Sequence, residues 1–471
     1  MKKILIYNWC PFNNKENAGG GGVNVYSRNL VNVLVKNGYD VYFLSSGYKY
    51  SPFKNSVFVK EIDENIKNLH HYEIINSPVM APAFTMFKNI RNYSNDIETV
   101  KYFENFINNH GPFDVIHFQN LEGISPKVLS LKEKFPKTKF IFSIHNYLPI
   151  CPLVQLFKNH ENKICKDFKN GTECSKCLCF ELNECRLYKQ GVSRYIDDRY
   201  SSKLVRKLVY NAFKIFNCKI NFNAIFNKRR LVSSSGDYYS FRKECIIYIN
   251  KYCDVVLAVS SRVRDICISY GFDSKKIKVS YIGTKIAENQ VGERSSKESK
   301  ESNFVIAYMG QARCDKGFYF LIDTLKSIKK DLAKQITVVL AVKFEERNYL
   351  LEQLSGFKEV KLYNGYSHDD ITNILKGVTL GVIPVIWEDN LPQVAIEMVA
   401  NGVPILCSDA GGASELSSSS LFKFKCGDTD ELKNRIEEIY VNRSLLKEYW
   451  KNHHGLITMD DHLSELENKY Y

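Results

Sequence analysis

No run of 18 apolar residues occurs in the 471-residue chain, so no membrane-spanning helix is expected. No segment repeats at a fixed interval, which sets aside solenoids and propellers. Glycine (25) and proline (12) are too few for collagen or low-complexity sequence. Hydrophobic residues at 44% and charged residues at 25% set aside dominant disorder. The opening MKKILIYNWC has a basic end and a short apolar run. Asn8 interrupts the run and no small-residue cleavage site follows, so the segment reads as a buried strand in a cytoplasmic protein. Acidic residues are scarce in the first half. Residues 1–250 carry a net charge of +15 and residues 251–471 a net charge of −2. Such asymmetry implies an anionic partner: nucleic acid, an anionic membrane or a phosphorylated substrate. No nucleic-acid recognition module accompanies the basic residues, so nucleic acid is not expected.

What is present is an alternation of short apolar strands and helical stretches. KILIYN (3–8), YDVYFLSS (39–46), EIINSP (73–78), FDVIHFQN (113–120), KFIFSIHN (139–146), DVVLAVSS (254–261) and IKVSYIG (277–283) read as buried strands. Between the first two, Tyr26, Leu30, Val33 and Leu34 recur at helical spacing, and Gly38 ends that helix. Residues 286–302 are polar and lack an apolar period, as in a linker. The alternation then restarts at 303–310, 336–342, 360–366, 379–386 and 403–409. The pattern predicts an α/β chain of two Rossmann-like, doubly wound domains facing a cleft. In such sheets ligands bind outside the carboxyl ends of the strands. The domains are 1–285, with a Cys-rich insertion at 151–185, and 303–450; a helix at 451–471 is expected to pack back on the first.

Three segments carry chemistry. Gly19, Gly20, Gly21 and Gly22 lie between a strand and a helix, where backbone N–H groups can approach an anion. In MGQARCDKGFYF (309–320), Lys316 precedes Gly317 at a helix mouth, where it can neutralise a leaving phosphate. In WEDNLPQVAIEMVANGVPILCSDAGGASE (387–415), Glu388 and Asp389 precede the turn Asn390-Leu391-Pro392. Glu397 then sits on an apolar helix, where a buried carboxylate needs a partner. Two vicinal ribose hydroxyls would serve. Gly411 and Gly412 allow a further close backbone approach.

The last segment resembles the donor site of the family 4 retaining glycosyltransferases, of GT-B fold, with their Glu-x7-Glu pattern, GxP and Gly-Gly-x-x-Glu turn. Glu397 matches the second glutamate, which in the family binds the nucleotide ribose. Asp389 stands eight residues earlier and Glu388 one step off register; either takes the place near the transferred sugar. Lys316 matches the diphosphate-binding lysine of G-R-x4-K-G. Gln311 occupies the arginine position, and either Arg313 takes over or neutralisation is weaker. His145, in IFSIHNYLPICP, matches the histidine that contacts the transferred sugar. GGVNVYSRNL resembles the N-terminal loop, with Gly21 and Gly22. The resemblance implies retaining transfer from a nucleotide-diphosphate sugar to a polysaccharide or lipid-linked saccharide, with no catalytic metal. The alternatives are an inverting transferase or epimerase of the same fold, or a donor-binding partner subunit with weakened turnover.

Two features stand apart. Cys151, Cys165, Cys174, Cys177, Cys179 and Cys185 fall within 35 residues. Cys174 and Cys177 have zinc-ligand spacing, with a complement drawn from the others; free thiols are the alternative to a structural zinc. Residues 201–230 hold eight basic residues, Lys203, Arg206, Lys207, Lys214, Lys219, Lys228, Arg229 and Arg230, and no acid, interleaved with apolar ones. Such a helix can lie on the inner face of an anionic membrane, hold a phosphorylated acceptor, or pack on its own domain with a solvated face. Asp428-Thr429-Asp430 reads as a helix N-cap, and Asp197-Asp198 as a helix start or solvated pair.

Overall fold

The computed structural model describes residues 1–13, 21–167, 171, 173–177, 184–216, 225, 233–292 and 303–471, with the side chains of 214–216 and 235 left aside. Gly19 and Gly20, Cys179, Lys219, Lys228, Arg229, Arg230 and linker residues 293–302 lie outside the described residues, as does the side chain of Lys214.

Two sheets organise the chain. The first contains β1 (Lys3–Tyr7), β2 (Asp40–Ser46), β3 (Phe58–Ile62), β4 (Leu69–Ile75), β5 (Val115–Phe118) and β6 (Lys139–Ile144). A two-stranded hairpin, β7 (Phe157–Lys158) and β8 (Lys163–Ile164), stands apart; β9 (Val255–Ala258) and β10 (Ile277–Val279) then complete that sheet. Its order is β10-β9-β6-β5-β1-β2-β4-β3. All its pairs are parallel except β3 with β4, and β3 is only part-buried. The second sheet has six strands: β11 (Phe304–Gly310), β12 (Ile336–Val342), β13 (Glu359–Asn364), β14 (Leu380–Ile383), β15 (Ile405–Ser408) and β16 (Lys423–Phe424). It is parallel throughout, in the order β13-β12-β11-β14-β15-β16. The central strands are apolar because helices cover both their faces: every residue of β12 is buried.

Two elements join the sheets. Residues 286–289, in the sequence reading part of the linker, belong to a short 3₁₀ turn Lys285–Asn289 with Ala287 buried. At the other end, the Met459–Lys469 helix lies on the Gly21–Lys36 helix of the first domain. There His462 Nε2 meets the Tyr26 hydroxyl at 2.7 Å, and the Tyr39 hydroxyl donates to Glu467 Oε1 at 2.5 Å.

Asp428 caps the Thr429–Val441 helix by accepting from Glu431 N. Asp197 and Asp198 lie at the end of the Glu184–Arg199 helix, not at a helix start, and each has a cation. Asp197 takes Arg206 at 3.4 Å; Asp198 takes Lys49, which also pairs with buried Glu73 at 2.7 Å. No helix among the described residues is long and apolar enough to cross a membrane.

Candidate active site

A cavity of about 540 Å³ opens between the domains at the carboxyl ends of the strands. Gly21 and Gly22, His145, Gln311, Lys316, Asp389, Asn390, Leu391 and Glu397 all line it.

Lys316 is placed by the turn after β11. Its Nζ donates to Asp389 Oδ2 at 2.7 Å and sits 4.6 Å from the centre of the Trp387 ring. The next residue must be glycine. Gly317 has φ +72°, and a Cβ there would lie 1.6 Å from the Pro384 carbonyl oxygen. Lys316 thus reaches the cleft because the backbone behind it is pressed onto the end of β14.

Glu397 is buried on the Gln393–Ala400 helix, and His368 Nδ1 lies 3.4 Å from its Oε1. Burial, and then the Glu397 carboxylate, raise the pKa of Tyr366 on the same wall. His145 donates from Nε2 to Gln119 Oε1 at 2.9 Å, and the Tyr26 ring packs 4.7 Å from it. Burial, and then nearby His462, lower the His145 pKa to about 3, so the ring is neutral near pH 7. Gly21 and Gly22 open the Gly21–Lys36 helix at the cleft, and the Gly22 carbonyl accepts from Gln393 Nε2 at 2.8 Å.

Four other residues singled out from the sequence are placed differently. The Glu388 carboxylate leaves the cleft and accepts from Arg262 Nε at 2.8 Å and from Arg262 Nη2. Of the two acids, Asp389 is the one that lines the cleft. Arg313 does not line the cleft. Its Nε and Nη2 donate to Asp315 at 2.9 and 2.8 Å, and its Nη1 donates to Gln311 Oε1 at 3.2 Å. Gly411 and Gly412 pack beneath the acidic loop instead of lining the cavity. A Cβ on Gly411 would lie 2.2 Å from the Asp389 carbonyl oxygen, and one on Gly412 2.2 Å from that of Asn390. Both press on the backbone of the acidic loop, Gly412 also on the Ser260 side chain, and so seat that loop.

Cys174 and Cys177 are buried on one 3₁₀ turn against the Ser235–Tyr252 helix. Among the described residues no group of three or more His, Cys, Asp or Glu side chains is arranged to hold a metal ion.

Several cleft residues escaped the sequence reading. Lys343 follows β12 and His368 follows the turn after β13, both at carboxyl ends of strands, where the strand-end rule points. Tyr26 looked like a core residue of its helix. Outside the cleft, Arg262 also went unseen, because its partner lies 126 residues away in the chain. Lys316 and Lys343 are the lysines among the described lining residues, and no arginine is among them.

Two Rossmann-like parallel sheets with a cleft at their strand ends make up the GT-B architecture of glycosyltransferases. Comparison with known proteins takes this further. Residues 20–180 match the family model described as Glycosyltransferase Family 4, and residues 291–455 match that described as Glycosyl transferases group 1. The chain belongs to this family of glycosyltransferases. An uncharacterized 42.6 kDa protein in the cps region of Klebsiella pneumoniae is 24% identical over 214 residues, covering 40% of this chain and 53% of that one. An uncharacterized glycosyltransferase of Methanocaldococcus jannaschii is 26% identical over 183 residues, covering 36% and 46%. The chain spans about half the length of the curated relatives it matches. Among solved structures, sucrose-phosphate synthase from Thermosynechococcus elongatus superposes with TM-score 0.61 at 14% identity, over 100% of this chain and 98% of that one. Anabaena HepE in complex with UDP-glucose gives 0.53 at 14% identity, over 99% of both chains. The lipopolysaccharide outer core galactosyltransferase WaaB gives 0.55 at 13% identity, over 100% of both. At these identities the superpositions speak to fold.

Proposed function

We propose that the protein transfers a sugar, with retention, from a nucleotide-diphosphate sugar to a polysaccharide or lipid-linked saccharide at the inner face of the cytoplasmic membrane. The observation that carries the reading is the convergence of Lys316–Asp389, Glu397 and neutral His145 on one cleft at the strand ends. Glu397 accepts from ribose hydroxyls. The Gly21–Lys36 helix mouth and Lys316 meet the charge that grows on the diphosphate as the bond from sugar C1 breaks. The electron pair of that bond goes to the leaving phosphate oxygen. The acceptor oxygen bonds to C1 on the same face, and its proton passes to the leaving oxygen. With its one ring proton held by Gln119, neutral His145 offers Nδ1 as an acceptor for a sugar hydroxyl without adding charge. The reading assigns neutralisation to side chains and asks for no catalytic metal. The UDP and UDP-glucose complexes of HepE support a donor of this class.

The test is calorimetric titration with a panel of nucleotide-diphosphate sugars against the protein and Glu397→Ala. Binding of one donor that Glu397→Ala loses supports the reading; a folded protein that binds none overturns it.

One observation favours a second reading, a donor-binding partner with weakened turnover. Gln311 is uncharged, and Arg313, the other candidate at the diphosphate, is committed to Asp315. Under that reading Gln311→Arg raises the rate of donor consumption at least tenfold; an unchanged rate returns the protein to the first.

A further inference from the structure

The Lys203–Phe216 helix is apolar on two faces. One turns inward. Phe213 is buried there, with Val209 and Tyr210 half-buried beside it. Phe213 meets the Tyr188 ring at 6.2 Å, and Tyr188 meets Tyr50 at 5.2 Å, so rings tie the helix to the first domain. The other face turns outward. Leu204 is 72% exposed and Leu208, one turn on, 62%; Val205 stands beside them. With 3.6 residues per turn these three share an arc of about 100°, roughly opposite Phe213. Lys203 and Lys207, also one turn apart and exposed, run along one flank of the row.

A single exposed leucine on a surface is ordinary, but a bare row flanked by lysines asks what covers it. Three side chains make a patch far smaller than the roughly 800 Å² per partner of a stable protein interface. The charge along the helix is of one sign. The helix has no acid from Lys203 to Phe216, and the acids that precede it in the chain, Asp197 and Asp198, are paired with Arg206 and Lys49. A bilayer surface fits both observations. Leucines enter the boundary between headgroups and acyl chains, while lysine stems run along it and keep their ammonium groups among anionic headgroups.

We propose that the outward face of this helix docks the first domain on an anionic membrane. The proposal gives the membrane contact of the reading above a place in the fold. It rests on that reading for its purpose only, since vesicle binding is read without any sugar transfer.

The experiment is co-sedimentation of the full chain with vesicles of phosphatidylcholine alone or with one third phosphatidylglycerol, at low and at physiological salt. Anionic vesicles are expected to bind at least tenfold more tightly than neutral ones. Leu204→Glu with Leu208→Glu is expected to lose at least tenfold, with melting temperature unchanged because both side chains are exposed. Lys203→Gln with Lys207→Gln is expected to lose roughly fivefold per lysine and to flatten the salt dependence. A wild-type protein that ignores anionic vesicles at low salt overturns the proposal, as does a leucine double variant that binds like wild type. A wild-type dimer in light scattering that the leucine variant dissolves also overturns it, naming a second copy as the occupant. Donor titration on the same samples separates the two claims. Donor binding without vesicle binding leaves the transferase reading standing alone, and the converse leaves the docking surface standing alone.

Discussion

Asp389 and Glu388 are chain neighbours whose carboxylates part, one into the cleft and one away from it. Asp389 takes Lys316 in the cleft at 2.7 Å, and Glu388 takes Arg262 of the first domain. The loop between them is held from below. Gly411 N donates to Glu388 Oε2 at 3.1 Å, Gly412 N to the Asp389 carbonyl at 2.8 Å, and Ser260 Oγ to the Asn390 carbonyl at 2.9 Å. Glu415, from the same glycine turn, accepts from Ser261 N and Arg262 N at 2.8 and 2.7 Å. The first turn of the Ser261–Ser269 helix therefore grips both the acidic loop and the glycine turn of the second domain.

This division of labour predicts two different phenotypes. Asp389→Asn and Lys316→Ala should each lower donor turnover by about 10²- to 10³-fold while the protein melts near the wild-type temperature. Arg262→Ala should act on stability first. It leaves the Glu388 carboxylate buried with only the Gly411 N–H, at a cost of about 1–3 kcal/mol, read as a lower denaturant midpoint. Glu388→Gln keeps a hydrogen bond to Arg262 and should cost less. Equal losses of turnover from Asp389→Asn and Glu388→Gln, with equal stabilities, would contradict the assignment.

Gly317→Ala should be among the most damaging single-methyl changes in the cleft. Its positive φ alone costs about 1–2 kcal/mol for a side chain. The added Cβ would also lie 1.6 Å from the Pro384 carbonyl, so the loop must move and carry Lys316 with it. Gly21→Ala, at a position with positive φ but no atom within 4 Å of the new Cβ, is the control. Melting curves and donor titrations of the two variants should differ in both stability and affinity; matching curves would show that the loop yields.

Acid stability should carry two opposed contributions. His145 and His462 have pKa values lowered by burial to about 3 and about 4. The unfolded chain binds their protons first, so the stability they confer is full above about pH 6.5 and is lost as pH falls toward 4. Glu122 is the reverse. Burial outweighs its hydrogen bonds from Ala83 N and Asn146, and raises its pKa to about 7. Its contribution favours the fold below about pH 4.5 and fades as pH rises through 7. Glu122→Gln should remove that decline between pH 4.5 and 7 in urea titrations; an unchanged slope would place the proton elsewhere.

Much of this was legible in the sequence because it is local. Strand runs such as 336–342 match the structure end to end, since a strand buried on both faces must be apolar throughout. Lys316-Gly317 and Glu397 stood out because residue and backbone requirement lie within one turn. What was not legible is non-local. Nothing near Glu388 announces Arg262, and nothing near Gly411 says that its neighbour is the Asp389 backbone and not a ligand. The edge strand β3 was missed because it is part-buried, so its apolar pattern is weak. The Lys203–Phe216 helix shows a related limit: periodicity marks an apolar stripe but not which stripe the domain covers.

The Met459–Lys469 helix and Tyr471 reach back under the cleft. His462 holds the Tyr26 hydroxyl, and the Tyr471 hydroxyl lies 2.7 Å from Nδ1 of His117 on β5. On the ribosome, then, the first domain is made early yet finished late. Until residues 459–471 emerge, Tyr26 and His117 lack these partners, and the Tyr26 ring that backs His145 is without its hydroxyl tether. Assembly of the His145 wall of the cleft is thereby tied to completion of the second domain, and a nascent chain stopped short of that helix holds an unfinished cleft.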